Sequence, residues 1–273
     1  NSLHLAIYTK NYDICKKIIN SDVNINAKTI IGESALHIAC NFQFENIVKL
    51  LVDVGIDVNI QDYNNEITAL SYAVNLNNRN ITKYLLLNKA NPNIQDFMGN
   101  NAIHYAIIEE SNEILYELTN PDKYSIKPNF NIHNISGKLP LHILLYKDKV
   151  NENETTKKII YYTDLNFQDN EGNTPMHLLC KKNIWKTYSD IIIKKKLDVF
   201  IKNNKNIRPI DLIDKKELNE FIDLVSHSYL YILRNYNFVW KNDWENICNK
   251  EIFYDKLTPD ESKILAKYIT NPK

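Results

Sequence analysis

Hydrophobic residues in this chain come in pairs of short stretches separated by polar loops, and the pairing recurs through about residue 225. The first stretch of each pair is a phrase centred on histidine. It reads Ser2-Leu3-His4-Leu5-Ala6, Ala35-Leu36-His37-Ile38-Ala39, Ala69-Leu70-Ser71-Tyr72-Ala73 and Ala102-Ile103-His104-Tyr105-Ala106. It returns as Pro140-Leu141-His142-Ile143-Leu144 and Pro175-Met176-His177-Leu178-Leu179, with a worn seventh copy, Pro209-Ile210-Asp211-Leu212-Ile213. The central letters lie 33, 34, 33, 38, 35 and 34 residues apart. The second stretch has i, i+3, i+4 spacing, as in Ile47, Val48, Leu50 and Leu51, or Ile81, Tyr84, Leu85 and Leu86. That spacing predicts a second helix in each unit.

Polar segments join the helices. Asp96-Phe97-Met98-Gly99-Asn100-Asn101 and Asp169-Asn170-Glu171-Gly172-Asn173-Thr174 have Asp and Gly spaced for a tight turn. Gly reaches positive φ without steric cost, and Asp accepts hydrogen bonds from nearby backbone amides. Of five glycines in the chain, Gly32, Gly99, Gly137 and Gly172 fall at this one position, and Gly55 follows the stretch from Glu45 to Val54 as a helix terminator would. Segments such as Asp57-Val58-Asn59-Ile60-Gln61-Asp62 and Asn91-Pro92-Asn93-Ile94-Gln95-Asp96 lead into the next turn. Each unit therefore reads turn, helix, loop, helix, loop. So small a helix pair cannot bury its own apolar face, and a fixed period of this size predicts a stack.

The histidine phrase and its period resemble the Thr-Pro-Leu-His-x-Ala signature of the ankyrin repeat family. The resemblance covers about residues 1–225 and implies an all-α solenoid of about seven units. It also implies that His37 with Ser34, and His177 with Thr174, organise the start of the first helix. Ser34 and Thr174 suit the N-cap, and Pro175 suits the first helical position. The pattern departs from the family in places. The first copy lacks its turn, so Asn1 is expected not to be a natural start. The third has an extra residue in Asp62–Thr68 and Ser71 for His. The fifth has a charged insertion near Asp148–Thr155, and the seventh puts Asn206 at the Gly position and Asp211 at the His position.

Composition excludes more than it assigns. Net charge is zero, so no global attraction to nucleic acid is expected. No apolar run reaches the roughly 20 residues of a membrane span. The four cysteines, Cys15, Cys40, Cys180 and Cys248, form no metal-ligand pair and read as buried thiols of a reducing compartment. Asn accounts for about one residue in seven. That bias suggests an AT-rich genome, such as that of a large DNA virus, an intracellular bacterium or a protozoan. No Walker loop, Rossmann glycine pattern, nucleophile elbow or His-Glu-x-x-His occurs. Five histidines and Ser71, spread over six stacked units, cannot converge on one substrate, so no enzyme, cofactor, metal or small-molecule substrate is expected here.

After about Val225 the period stops. Leu230, Tyr231, Leu233, Tyr236, Phe238, Trp240 and Trp244 make residues 226–273 the most aromatic segment, and Thr258-Pro259-Asp260-Glu261 suits a helix start. A helical cap over the last repeat is the expectation. A second reading comes from Leu257 to Leu265, which resembles the start of an F-box, as at the C-termini of poxviral ankyrin proteins. That resemblance implies a substrate adaptor for a ubiquitin ligase. In composition, ankyrin proteins of amoebal giant viruses are at least as close.

The resemblance implies recognition of a protein partner, in the cytoplasm of a host cell if the source is viral, or on a virion. Two alternatives stay open: a structural spacer in a larger assembly, and the targeting arm of a longer enzyme. Expected contacts on the turn tips are Ile30, Ile31, Glu33, Tyr63, Asn64, Phe97, Met98 and Asn100. Asn41, Phe42, Asn75, Leu76, Ile108, Glu109, Tyr146, Lys147, Lys181 and Lys182 would extend them along the inner helix face. Lys181 and Lys182 belong to a basic cluster that also includes Lys186, Lys194, Lys195, Lys196, Lys202, Lys205 and Arg208. Asn59 and Asn93, each eight residues after a Leu (Leu51, Leu85), match the loop position that asparaginyl hydroxylases modify in the family.

Overall fold

The structure is a computed structural model that describes residues 1–21, 23–195 and 197–225. The expected C-terminal cap, the F-box-like stretch, Trp240, Trp244 and Cys248 lie outside the described residues. By contacts the chain divides into two compact units, the break falling between Leu144 and Leu145.

The first unit contains four helix pairs. They are α1 (Ser2–Tyr8) with α2 (Tyr12–Ile19), α3 (Ala35–Asn41) with α4 (Glu45–Asp53), α5 (Ala69–Asn75) with α6 (Arg79–Leu87), and α7 (Ala102–Ile108) with α8 (Asn112–Leu118). The first helices pack on one another in chain order, and so do the second helices. Two-turn helices are too short to be stable alone, and here their packing positions are covered: Leu36, Leu51, Leu70, Leu85, Ile103 and Ile114 are all buried. Helix α9 (Pro140–Tyr146) spans the break. The second unit continues with α10 (Glu154–Tyr162), α11 (Pro175–Lys181) and α12 (Ser189–Ile192). Its last first-helix position, Pro209–Leu212, is a 3-10 turn. The loop between α9 and α10 is longer than its counterparts, as the insertion near Asp148–Thr155 predicts. The 38-residue step has a different cause, an extra segment after α8 whose Tyr124 is buried and donates to Glu117 Oε2 at 2.9 Å.

Within each compact unit, histidines tie one repeat to the next. The Ser34 amide donates to His37 Nδ1 at 3.1 Å, and His37 Nε2 reaches the Ile67 carbonyl, one repeat on, at 2.9 Å. His104 links the Asn101 amide to the Lys138 carbonyl in the same way, and His177 links Thr174 to Ile207. Nδ1 accepts and Nε2 donates, so only the neutral ring fits. Where histidine is missing, shorter groups replace part of this link. Ser71 Oγ pairs with Thr68 Oγ1 at 3.1 Å, and the Asp211 carboxylate accepts from the Arg208 amide at 2.8 Å.

Candidate protein-recognition surface

Each turn begins with a side chain that accepts from the backbone of its own loop. Asp96 Oδ1 takes the Asn100 amide at 2.7 Å, Asp169 Oδ1 takes Asn173 at 2.9 Å, and Asn134 and Asn203 act likewise. The second carboxylate oxygen is held by a tyrosine: Tyr72 on Asp62, Tyr105 on Asp96 and Tyr146 on Asp169, at 3.2, 2.6 and 2.7 Å. Burial first, and then the adjacent carboxylate, pushes the Tyr72 hydroxyl up to about 12, and those of Tyr105 and Tyr146 rise for the same reasons. Three residues before each first helix begins the backbone turns to positive φ, at Gly99 and Gly172 but also at Glu66 (55°) and Asn206 (61°).

The turns are joined to one another. The Tyr63, Phe97 and Ile135 amides donate to the Ile31, Asn65 and Met98 carbonyls, each at 3.0 Å, and Asn204 donates to Glu171 in the second unit. Glutamine side chains add a second link. Gln95 Nε2 donates to the Gly99 carbonyl in its own turn and to the His133 carbonyl in the next, at 2.7 and 2.9 Å, and Gln61 and Gln168 do the same. Asparagines add a third. Asn59 Oδ1 accepts from the Asn91 amide at 2.7 Å and Asn93 Oδ1 from the Asn129 amide at 2.7 Å, while their Nδ2 groups donate to Lys89 and Lys127. The two candidate modification sites are therefore inter-repeat links in the folded chain. Sequence reasoning missed this role, although the recurring Asn-x-Gln-Asp spelling carried it.

On this rigid ladder the side chains of the first unit are largely apolar and unburied. Ile30 is 99% exposed, Phe97 is 55% exposed, and Ile31, Tyr63, Met98 and Ile135 are exposed as well. Asn64 is exposed, while Glu33 and Asn100 are half-buried. Glu33's carboxyl is raised by burial and by Asp62, and Asn100 Oδ1 accepts from Asn134. Lys28 lies over the Tyr63 ring, 4.4 Å from its centre. At the ends of the first helices, Asn41, Asn75, Ile108 and Glu109 are exposed and Leu76 is half-buried. Phe42 is exposed on one side and packed on the other, edge-on to Tyr8 at 5.5 Å and stacked on Phe44 at 5.6 Å.

The same positions in the second unit are polar. Asn170, Glu171, Asn204 and Lys205 occupy the tips, and Tyr146, Lys147, Lys181 and Lys182 the helix ends. Lys182 turns its ammonium onto the Lys147 carbonyl at 2.6 Å, whereas Lys181 is exposed. Lys186 pairs with Glu217 and Glu220, and Arg208 with Asp211. Cys15, Cys40 and Cys180 are buried free thiols. Among the described residues no group of three or more His, Cys, Asp or Glu is placed to hold a metal ion, and no helix is long and apolar enough to cross a membrane.

Comparison with known proteins agrees with this geometry. A family model described as ankyrin repeats (3 copies) matches residues 3–96 and 54–132. The L371 ankyrin repeat protein of Acanthamoeba polyphaga mimivirus is 36% identical over 270 residues, covering 91% of this chain and 35% of that protein. The FPV230 ankyrin repeat protein of fowlpox virus is 28% identical over 66% of this chain and 91% of its own length. The phosphocholine transferase AnkX of Legionella pneumophila is 25% identical over 71% of this chain, which corresponds to 20% of that enzyme. The chain thus spans only about a third or less of the mimivirus and Legionella relatives. Among solved structures, the ankyrin repeat domain of Bcl-3 superposes with a TM-score of 0.63 at 18% identity, covering 82% of this chain and 97% of that domain.

Proposed function

We propose, for a chain that belongs to the ankyrin repeat family and has that family's all-α repeat fold, that it is a non-catalytic recognition module whose first unit grips a partner protein through its turn tips. Ankyrin repeats generally mediate protein–protein interaction, and their fold is typically a non-enzymatic scaffold. The observation that carries the reading is the row Ile30, Ile31, Tyr63, Phe97, Met98 and Ile135, large apolar groups held in solvent on a hydrogen-bonded ladder. Aromatic and Met side chains are enriched where interfaces bury their centres, and a rigid scaffold lowers the ordering cost of binding. Buried free thiols fit a reducing cytoplasm as the working compartment. With viral ankyrin proteins among the relatives, a host protein is the partner in this reading.

A second reading is favoured by the Legionella match: the chain serves as the recognition arm of a longer protein that carries its activity elsewhere. Hydroxylation of Asn59 or Asn93 also belongs to the proposal. Because both amides are engaged, it requires the loop to open, and intact mass after incubation with an asparaginyl hydroxylase tests it. The main test is the double change Phe97→Ser, Met98→Ser. Partner capture should fall by about 2 kcal/mol or more, while exposed turn substitutions shift stability by about 0.5 kcal/mol or less. A folded variant, checked by circular dichroism, that retains every wild-type partner would sink the reading.

A further inference from the structure

The second unit contains a cavity that the apolar tips do not account for. It measures about 290 Å³ and lies between the last two turns and helix α11. Its apolar lining is supplied by Leu178, Ile207 and Leu212. The turn network joins its polar lining: Asn173 Nδ2 donates to the Tyr146 hydroxyl at 3.0 Å, and Asn203 Nδ2 to Asn173 Oδ1 at 2.8 Å. His177, which also lines it, has Nε2 on the Ile207 carbonyl and Nδ1 on Thr174. None of these polar groups offers a free charge.

The charges sit on the lining at Lys181 and Lys205, and both residues are exposed. Neither ammonium has a hydrogen bond or ion pair among the described residues, in contrast to Lys182, Lys186 and Arg208 close by in sequence. The opposing charge on the lining is Glu171, which accepts from Asn173 Nδ2 at 3.4 Å. At about 290 Å³ the cavity lies at the lower edge of typical ligand pockets, about 300–1,000 Å³, with room for one side chain and its flanking backbone. Its apolar lining residues match a methylene stem, and its two unpaired cations match a negative end.

We infer that this cavity accepts an acidic side chain, Glu in particular, from a peptide segment of the partner, with Lys181 and Lys205 binding the carboxylate and Leu178, Ile207 and Leu212 packing on its stem. The inference rests on the reading of the chain as a protein-recognition module and adds the chemistry of one partner residue. It assigns to the second unit a charge-selective contact beside the apolar one of the first.

The test uses methyl NMR of the intact chain with a short acetylated and amidated peptide of Glu, Leu and Gly, and its counterpart with Gln for Glu. The Glu peptide should shift the methyls of Leu178, Ile207 and Leu212, and the Gln peptide should bind at least tenfold more weakly. Lys181→Gln with Lys205→Gln should abolish the shifts, whereas Lys194→Gln, an exposed lysine outside the cavity lining, should leave them. Equal shifts from the two peptides would overturn the inference. So would equal loss from Lys194→Gln, or displacement of the Glu peptide by a single-stranded oligonucleotide that binds the same methyls more tightly. Because the readout is local to the second unit, its failure is distinguishable from failure of the Phe97 and Met98 capture experiment.

Discussion

The two units share one backbone scheme and present opposite chemistry on it. In the first, the residues before the positive-φ turn position include Ile30, Ile31, Phe97, Met98 and Ile135; in the second they are Asn170, Glu171, Asn204 and Lys205. The amide-to-carbonyl link between neighbouring turns is 3.0 Å in both. Helix regularity differs as well. The first unit keeps four pairs of seven to nine residues, while the second shrinks to the four-residue α12 and a 3-10 turn at Pro209–Leu212. The turn ladder therefore persists where the helices have eroded. Hydrogen-bonded turns and side-chain links define the repeat, and the tips are free to diverge because their side chains are not needed to build it.

If the ladder is equally tight in the two units, glycine substitutions should cost the same in each. A Cβ on Gly99 would lie 2.8 Å from Asn134 Cα, and one on Gly172 would lie 2.8 Å from the Asn204 amide nitrogen, both at φ near 75°. Left-handed strain of about 1–2 kcal/mol adds to an overpacking term of about 1–3 kcal/mol. Gly99→Ala and Gly172→Ala should each lose about 3 kcal/mol in thermal unfolding. Gly55 has φ of 86° but open space around it, so Gly55→Ala should lose only the strain, about 1 kcal/mol. A Gly172→Ala variant as mild as Gly55→Ala would show that the second unit's ladder is slack.

Acid should next separate the histidine-linked repeats from the aspartate-linked one. Burial pushes the His104 ring down to about 4, against the hydrogen bond to the Lys138 carbonyl, and lowers His37 and His177 likewise. A free histidine titrates near 6.5. Between those values the unfolded chain binds the proton and the folded chain does not, so stability is full above about 6.5 and declines as pH falls toward 4. For His104 the shift corresponds to about 3 kcal/mol. Asp211 behaves differently. Burial disfavours its charge, but the Arg208 guanidinium and amide outweigh that and hold it below the usual carboxylate range. Its contribution is present above the ordinary Asp value and is lost only below it. Hydrogen exchange from about pH 7 to about pH 4.5 should loosen the amides of Asn101 and Ser34 while sparing that of Arg208. Uniform loosening would remove the contrast.

Much of this was legible before the structure. The histidine phrase fixed the period, and the four turn glycines fixed the frame, because each is a strict local requirement written in one letter. Helix pairs and the capping roles of Ser34 and Thr174 followed. What escaped were contacts made one repeat away. Asn59, Asn93 and Gln95 are polar loop residues by composition, and only folding shows their amides bridging neighbours. The cavity beside Lys181 escaped for the same reason, since Lys205 belongs to the next repeat. The loop between paired helices was also underread. Its backbone is left-handed at Lys10, Gln43, Asn77, Glu110 and Asn183, none of them glycine, so no Gly signal marked it.

That loop supplies the smallest difference between the units. In the first, Lys10, Gln43 and Glu110 hold φ of 56°, 57° and 54° beside a single Asn, Asn77, at 53°; in the second, Asn183 holds 56°. A Cβ-bearing residue is strained there by about 1–2 kcal/mol, but Asn occupies the left-handed region several-fold more readily than other side chains. Glycine removes the strain at the cost of a looser unfolded chain, an entropy term of roughly 0.4–1 kcal/mol. Gln43→Gly and Glu110→Gly should therefore gain about 0.5 kcal/mol each in thermal unfolding, from these opposing terms. Asn183→Gly should be neutral or slightly destabilising. Glu110 and Gln43 are both exposed, so lost packing is small, and the surface hydrogen bond that Gln43 Oε1 accepts from Asn78 Nδ2 at 3.2 Å trims the gain there. A gain at Asn183 equal to that at Glu110 would show that backbone strain, rather than residue choice, is the same in the two units.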